Sequence, residues 1–512
     1  MKKMMNFNNY SWLIFVLVLI VVALVYNYQN SSMLGPQSIH HWRQADCASV
    51  ALNYYQNGMN FFEPELHALI SDSRTSGYNV GEMPFLYYFV AILYKIFGHH
   101  DSVFRIANML FFFVGLFFLY KLSDLLLKDT FWAIFVSIFL FSSPVLVYYA
   151  NSFLSNTTAL AFSLIGWYFF FRFREKQTQR LLYISIIFFT IASLLKITAA
   201  ISVVAIFGIY VIEFFNISIF KFKSKVFKSK YKNLIPFLVL IIVVIAWYLF
   251  AINYNQNHRT NYFSTRTMPI WDLSSEKILK IWGKVTSFWV YSYYSPAALY
   301  VLGAMFLVQF YRIKKENKEF VLISSLLFVG VILYLLLWFS TLHDHDYYLI
   351  NLFILPAFVV LSFLNFAKIN LSEFYNHKLV KTLFALFLAY NVYYASSISN
   401  DRYNGWLNEF PTYKAVHEIS PYLKSIGIGK NDTVIFVPDQ SSCYSLYLMN
   451  LKGWTEYAGL NTSKEKIQKS IELGAEYLII LGKKTSEKKP YLTGFTNNKI
   501  GEFRDVEIFR LR

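Results

Sequence analysis

The stretch Met83-Pro84-Phe85-Leu86-Tyr87-Tyr88-Phe89-Val90-Ala91-Ile92-Leu93-Tyr94-Lys95-Ile96-Phe97 is apolar enough to enter a membrane and short for crossing one. Whether it crosses decides the side of every segment after it. A span needs about 20 predominantly apolar residues. This run is shorter, opens at Pro84 and carries Lys95 near its end. Longer apolar runs flank it, at 11–28, 103–121, 131–149, 157–173, 181–195, 198–215, 234–252, 288–311, 319–341, 347–366 and 379–396. Basic clusters separate several of them: Arg172, Arg174, Lys176 and Arg180; Lys221, Lys223, Lys225, Lys228, Lys230 and Lys232; Arg312, Lys314, Lys315 and Lys318; Lys368, Lys378 and Lys381. If 83–97 crosses, the two strongest clusters fall opposite to Lys2 and Lys3. If it does not, all four share the cytoplasmic side with the N-terminus, as the positive-inside rule requires. The second arrangement predicts about eleven crossings, with 83–97 lying along the membrane surface.

The composition agrees. Of 512 residues, 56% are hydrophobic and only 15% charged, against roughly 25% charged in soluble proteins. A water-soluble fold cannot hide that much apolar surface, so the fold class expected is an α-helical polytopic membrane protein. The net charge of +17 is clumped between apolar runs. It reads as topogenic lysine and arginine, not as a nucleic-acid face with stacking aromatics, and no nucleic-acid partner is expected. Cys47 and Cys443 form neither a disulfide framework nor a zinc site, and a bridge between them is not expected. The N-terminus is charged and then apolar, like a signal peptide. Its apolar run is long and no small-x-small cleavage site follows, so it is read as the first transmembrane helix.

With this parity the 29–102 region, the 149–157 turn, the Lys196 turn, the 253–287 loop, the His343–Asp346 turn and everything after about 397 lie outside. Residues 1–400 read as the transmembrane domain. Residues 401–512 read as a small extracytoplasmic α/β domain, with strands at Thr433–Val437, Tyr477–Leu481 and Val506–Leu511 and a helix at 463–473. No Gly-x-Gly-x-x-Gly fingerprint supports a nucleotide site there.

Ionisable residues gather on that outer side. The heptad His40-His41-Trp42-Arg43-Gln44-Ala45-Asp46 opens the 29–102 region. Arg43–Asn57 reads as a short amphipathic helix ended by Gly58. It places Asp46 in the first turn, where the helix dipole favours the ionised form a base requires. A surface aspartate without chemistry suits the same position. Glu82 sits against Pro84 at the mouth of the bundle and is read as functional, whereas Glu65 is read as a solvated loop residue. Lys196 interrupts two apolar runs; it is either a phosphate contact or a snorkelling lysine. Arg259 and Arg266 offer forks for a phosphate, or are ordinary loop charges. The His343–Tyr348 stretch is a polar cap with aromatic anchors, or contacts phosphate or sugar through His345, Asp346 and Tyr347. Its His/Asp alternation also admits a divalent cation, which is not favoured on spacing alone.

These motifs resemble the GT-C glycosyltransferases, in the family 39-like bacterial branch related to protein O-mannosyltransferases and the lipid A aminoarabinose transferase. Trp42-Arg43-Gln44-Ala45-Asp46, with Asn53-Tyr54-Tyr55 and Asn60-Phe61, resembles the first-loop motif. Asp344-His345-Asp346-Tyr347-Tyr348 through Pro356 resembles the late-helix motif. The match covers most of 1–366. The resemblance implies a polyprenyl-phosphate-sugar donor, a glycan, lipid or protein acceptor, and transfer on the extracytoplasmic face of a multi-pass inner (plasma) membrane protein. Asp46 matches the catalytic acid of the first loop. Glu82 matches the acidic residue before the proline of the interfacial helix. Lys196 matches a basic residue in a Thr-Lys-Gly-like turn. One departure stands out: Asn156 occupies a turn where relatives often carry Asp, which weakens any two-carboxylate or metal-assisted scheme. No nucleotide or redox cofactor is expected. The rival readings are a polyprenyl-linked glycan transporter or flippase and a non-catalytic envelope-assembly protein. Charges at one face and the lack of a visible repeat speak against the former.

Overall fold

The computed structural model describes residues 10–217, 225–263, 267–310, 318–404 and 411–512. Lys221, Lys223, Arg266, Arg312, Lys314 and Lys315 lie outside these ranges. Up to Asn404 the described chain is largely helical. Its main elements are α1 (Ser11–Val25), α2 (His41–Gln56), α3 (Phe85–Phe97), α4 (Asp101–Leu127), α5 (Thr130–Phe141), α6 (Pro144–Ala150), α7 (Asn156–Lys176), α8 (Gln179–Leu195), α9 (Ile201–Phe214), α10 (Lys230–Asn257), α11 (Pro296–Val308), α12 (Lys318–Leu337), α13 (Ile354–Asn370) and α14 (Lys378–Asn404).

Six helical stretches are long and apolar enough to cross a membrane, and the bent pair α5–α6 is a seventh. Four shorter apolar helices, α1, α3, α8 and α11, accompany them. The expected count of about eleven goes beyond what length and composition establish. Two runs read as single spans are broken, both at Ser-Pro. A residue before proline is pushed out of the α region. Ser143 accordingly has ψ 122, and α6 leaves α5 at 77°. Ser295 has ψ 154, and its hydroxyl accepts the Ala298 N–H as α11 restarts at Pro296. The 288–311 run is therefore a helix end, a kink and a second helix.

Small residues let the helices approach. A Cβ on Gly115 of α4 would lie 2.5 Å from the Cα of Ala161 on α7, so any side chain there would force the pair apart. Arg105 of α4 is wholly buried. It donates to the carbonyls of Leu34, at 2.6 Å, and Gly35, at 2.9 Å, and to Asn151. Its guanidinium thereby staples the start of the 29–102 region to the α6–α7 turn.

The C-terminal part folds around a five-stranded sheet, order β2-β1-β3-β5-β4, with β1 (Thr433–Val437), β2 (Lys452–Trp454), β3 (Tyr477–Leu481), β4 (Lys499–Phe503) and β5 (Val506–Arg510). β1 runs parallel to β2 and β3, and β5 antiparallel to β3 and β4. The three expected strands are present. β2 and β4 are additional: one is three residues long and the other mostly half-exposed, so neither shows the apolar run that marks a strand. The 29–102 region docks onto this sheet. Gly453 of β2 donates to the His67 carbonyl at 3.1 Å and accepts from the Leu69 N–H at 2.9 Å. Lys452 pairs with Glu65 at 2.6 Å, and the Trp454 indole donates to the Arg74 carbonyl at 3.1 Å. Glu65, read as a solvated loop residue, is thus a tether between the two parts.

Candidate active site

A cavity of about 560 Å³ opens between the start of α2, Gly81 and Glu82, the Lys196 break, Tyr262, Phe263 and Met268, and the 334–348 segment. Of the residues singled out from the sequence, Arg43, Asp46, Glu82, Lys196, His345 and Tyr347 line it. Arg259 and Asp346 do not. Arg259 is exposed in the turn that follows α10. Asp346 is fully buried behind the wall, so neither is a cavity contact.

The backbone around Glu82 is clamped on three sides. Asn255 exchanges hydrogen bonds with Val80 at 2.7 and 3.0 Å. Trp247 donates to the Gly81 carbonyl at 3.3 Å, and the Met83 N–H donates to the Leu194 carbonyl at 3.0 Å. This fixes Glu82 beside Lys196, which sits in an extended break (φ −151, ψ 118) between α8 and a short 3₁₀ turn. Glu82 Oε1 then accepts from Arg43 Nη2 at 2.7 Å, Tyr87 OH at 2.7 Å and Lys196 Nζ at 2.9 Å. Burial pushes the Glu82 carboxyl up, but Arg43 and then Lys196 outweigh it and hold it well below the ordinary carboxylate range. Glu82 is therefore an anchor that spaces two cations. The Arg43 guanidinium also lies 4.7 Å over the Phe263 ring.

Asp46 has a different environment. The helix begins at His41, so Asp46 lies in its second turn, not the first, and the first-turn dipole argument does not apply. Tyr262 OH donates to Oδ2 at 2.6 Å, Ser442 OH to Oδ1 at 2.7 Å and Cys443 SH to Oδ1 at 3.2 Å. Arg43 Nη1 stands 3.8 Å away. A carboxylate offers about four lone-pair sites. Three are occupied by neutral donors, two of them from the C-terminal part. Burial, reinforced by Asp46, drives the Tyr262 hydroxyl and the Cys443 thiol well above their ordinary values, so both stay protonated donors.

His40 adopts a left-handed conformation (φ 55) just before α2. Its Nε2 lies 3.3 Å from Asp346 Oδ1. Asp346 also pairs with Arg402 at 2.9 Å and accepts from Tyr149 OH at 2.6 Å. Asp346 thus holds the wall that carries His40. His345, a cavity residue, is lowered to about 4 by burial and then by His40. His343 pairs with Asp344 at 2.6 Å, and Asp344 also pairs with Lys284 at 3.1 Å, away from Asp346. Among the described residues no group of three or more His, Cys, Asp or Glu is placed to hold a metal ion. Asn156 lines the cavity, and its Nδ2 donates to the Tyr347 carbonyl at 3.0 Å, a bond a carboxylate could not make.

Sequence reasoning missed Tyr262, Ser442 and Cys443. They lie 216, 396 and 397 positions from Asp46, in segments without a motif. Cys443 and Cys47 are both free.

Residues 82–248 match the family model of dolichyl-phosphate-mannose-protein mannosyltransferases. Two solved structures of ArnT from Cupriavidus metallidurans share the fold. The apo form has TM-score 0.61 and 12% identity, covering 98% of this chain and 97% of that one. The form bound to undecaprenyl phosphate has TM-score 0.59 and 11% identity, covering 98% of each. No curated protein matches the sequence. The 82–248 segment therefore resembles that mannosyltransferase family, on a chain with six or seven helical stretches fit to cross a membrane. Its overall fold is that of ArnT.

Proposed function

We propose that the chain transfers a sugar from a polyprenyl-phosphate donor to an acceptor hydroxyl on the extracytoplasmic face of the inner membrane, in building envelope glycan, lipid or glycoprotein. The observation that carries this reading is the pairing, in one cavity, of a carboxylate held by neutral donors with two cations spaced by a second carboxylate. ArnT, with the same fold, is known with undecaprenyl phosphate bound. Asp46 takes the proton of the acceptor hydroxyl through its remaining lone-pair site. The acceptor oxygen bonds to the anomeric carbon. The bond from that carbon to the phosphate oxygen breaks, and its electron pair stays on the polyprenyl phosphate. Arg43 and Lys196, already placed by Glu82, meet the charge that develops there. His345 and Tyr347 border the sugar.

The topology that fits has the N-terminus cytoplasmic, about eleven crossings, α3 along the outer surface and residues 401–512 as an extracytoplasmic domain over a 1–400 transmembrane domain. The test is purified protein in nanodiscs with a labelled polyprenyl-phosphate sugar. Label on an acceptor, lost in Asp46→Asn, supports the reading. Donor crossing a vesicle bilayer unchanged would instead identify a flippase.

A further inference from the structure

A second cavity lies beside the main one. Trp42, four residues before Asp46 on α2, lines both, and the second, of about 360 Å³, is formed by the C-terminal part. The second cavity is walled by Gln440, Glu456, Tyr457, Thr462 and Lys489. Its chemistry differs from the first. Trp42 is 43% exposed, and its indole N–H has no partner among the described residues. The Tyr457 hydroxyl and the Gln440 carboxamide have none either. Glu456 is held from behind, with Lys489 and Tyr491 OH (2.9 Å) both on Oε1. Ala458 keeps a left-handed backbone (φ 52) in the turn that carries Tyr457.

The second cavity also touches a partner of the base. The Tyr457 ring lies edge-on at 5.3 Å from Tyr262, the residue that donates to Asp46 at 2.6 Å. Two aromatic rings, with an amide, a hydroxyl, an indole N–H and a carboxylate in the same wall, suit a sugar ring. The ring's C–H face packs on the aromatics, and its hydroxyls pair with the uncommitted polar groups. A peptide acceptor would call for a free backbone edge, and the edge of β2 is already taken by 67–69. A lipid chain would call for an uninterrupted apolar trough, and Gln440, Glu456, Thr462 and Lys489 interrupt this wall with polar groups.

We infer that the Trp42–Tyr457 cavity is the acceptor subsite and that it binds a saccharide, delivering one of its hydroxyls to Asp46. The delivery step rests on the transferase reading above; the saccharide site does not. Saturation-transfer NMR on the full chain in detergent micelles, with maltose, cellobiose and chitobiose as probes, reads binding without turnover. Signal on ring protons of at least one probe is expected with the parent and equally with Asp46→Asn. It should weaken about ten-fold in apparent affinity, which is ~1.4 kcal/mol, in Trp42→Ala and in Tyr457→Ala. Both side chains are partly exposed, and far-UV circular dichroism checks that each variant is folded. No saccharide signal, an undiminished signal in both variants, or binding of a Ser/Thr hexapeptide in place of the saccharides overturns the inference. Transfer retained in Asp46→Asn while saccharides still bind would sink the transferase reading and leave the subsite standing.

Discussion

Asp46, buried, and Glu82, partly buried, are two carboxylates in one cavity, and their surroundings differ. Glu82 accepts from Arg43, Lys196 and Tyr87 on a single oxygen. Asp46 accepts from a phenol, a serine hydroxyl and a thiol on both oxygens. A carboxylate locked between two cations is a poor base, because taking a proton forfeits both attractions. A carboxylate held by neutral donors is oriented and keeps a site for the incoming proton. The same functional group thus supports an anchor and a base, and the neighbours decide which is which.

The largest test of that division is Asp46→Asn. Transfer should fall by about 10²–10⁴, the usual worth of a positioned general base, with donor affinity kept. Turnover within a factor of two of the parent would move the base elsewhere. Glu82→Gln should behave differently. Breaking a largely buried, doubly paired anion costs about 3 kcal/mol or more, so the onset of thermal inactivation should drop along with donor affinity. An unchanged melting profile would show that the two cations do not depend on Glu82.

Lys196→Met is expected to raise the donor KM by about ten-fold, as for the loss of one charge-assisted contact, with a smaller change in kcat. An effect confined to kcat would separate Lys196 from the donor phosphate. Ser442→Ala and Tyr262→Phe each remove one neutral bond to Asp46, worth ~1 kcal/mol, and should lower kcat several-fold. Together they should depart from additivity, since both hold the same carboxylate. Strict additivity would break the picture of one shared orientation.

The smallest effect concerns pH. Burial lowers His41 and His345 from 6.5 to about 4. The unfolded chain takes up these protons near pH 6.5, and the folded chain only near pH 4. Between those values the unfolded state binds more protons, so stability is lost as pH falls through this window and regained as it rises. His345→Gln should flatten the difference in unfolding temperature between pH 7 and pH 5.

Much of this was legible in the sequence because it follows from local composition. Apolar runs, lysine clusters and the Trp42–Asp46 motif mark a multi-pass membrane protein with a GT-C resemblance, since spans, charge bias and short motifs are properties of contiguous residues. The expected helix near Asp46 began two residues earlier, at His41, enough to move Asp46 out of the first turn. Ser143-Pro144 and Ser295-Pro296 lay in plain view within apolar runs, yet hydropathy outweighed the proline rule in reading them as spans.

What only the tertiary structure decided was the company each charge keeps. Arg259 and Asp346 carry the same functional groups as Arg43 and Asp46, and the fold turns one to the surface and buries the other behind His40. Ser442 and Cys443 reach Asp46 because Gly453 and Lys452 dock the C-terminal sheet on the 67–69 segment and Glu65. Sequence alone determined that this is a helical membrane protein with its chemistry gathered at one face, because hydropathy and charge bias act residue by residue. The division between base and anchor was decided in three dimensions, because a carboxylate's role is set by donors a few ångströms away that chain order places hundreds of positions apart.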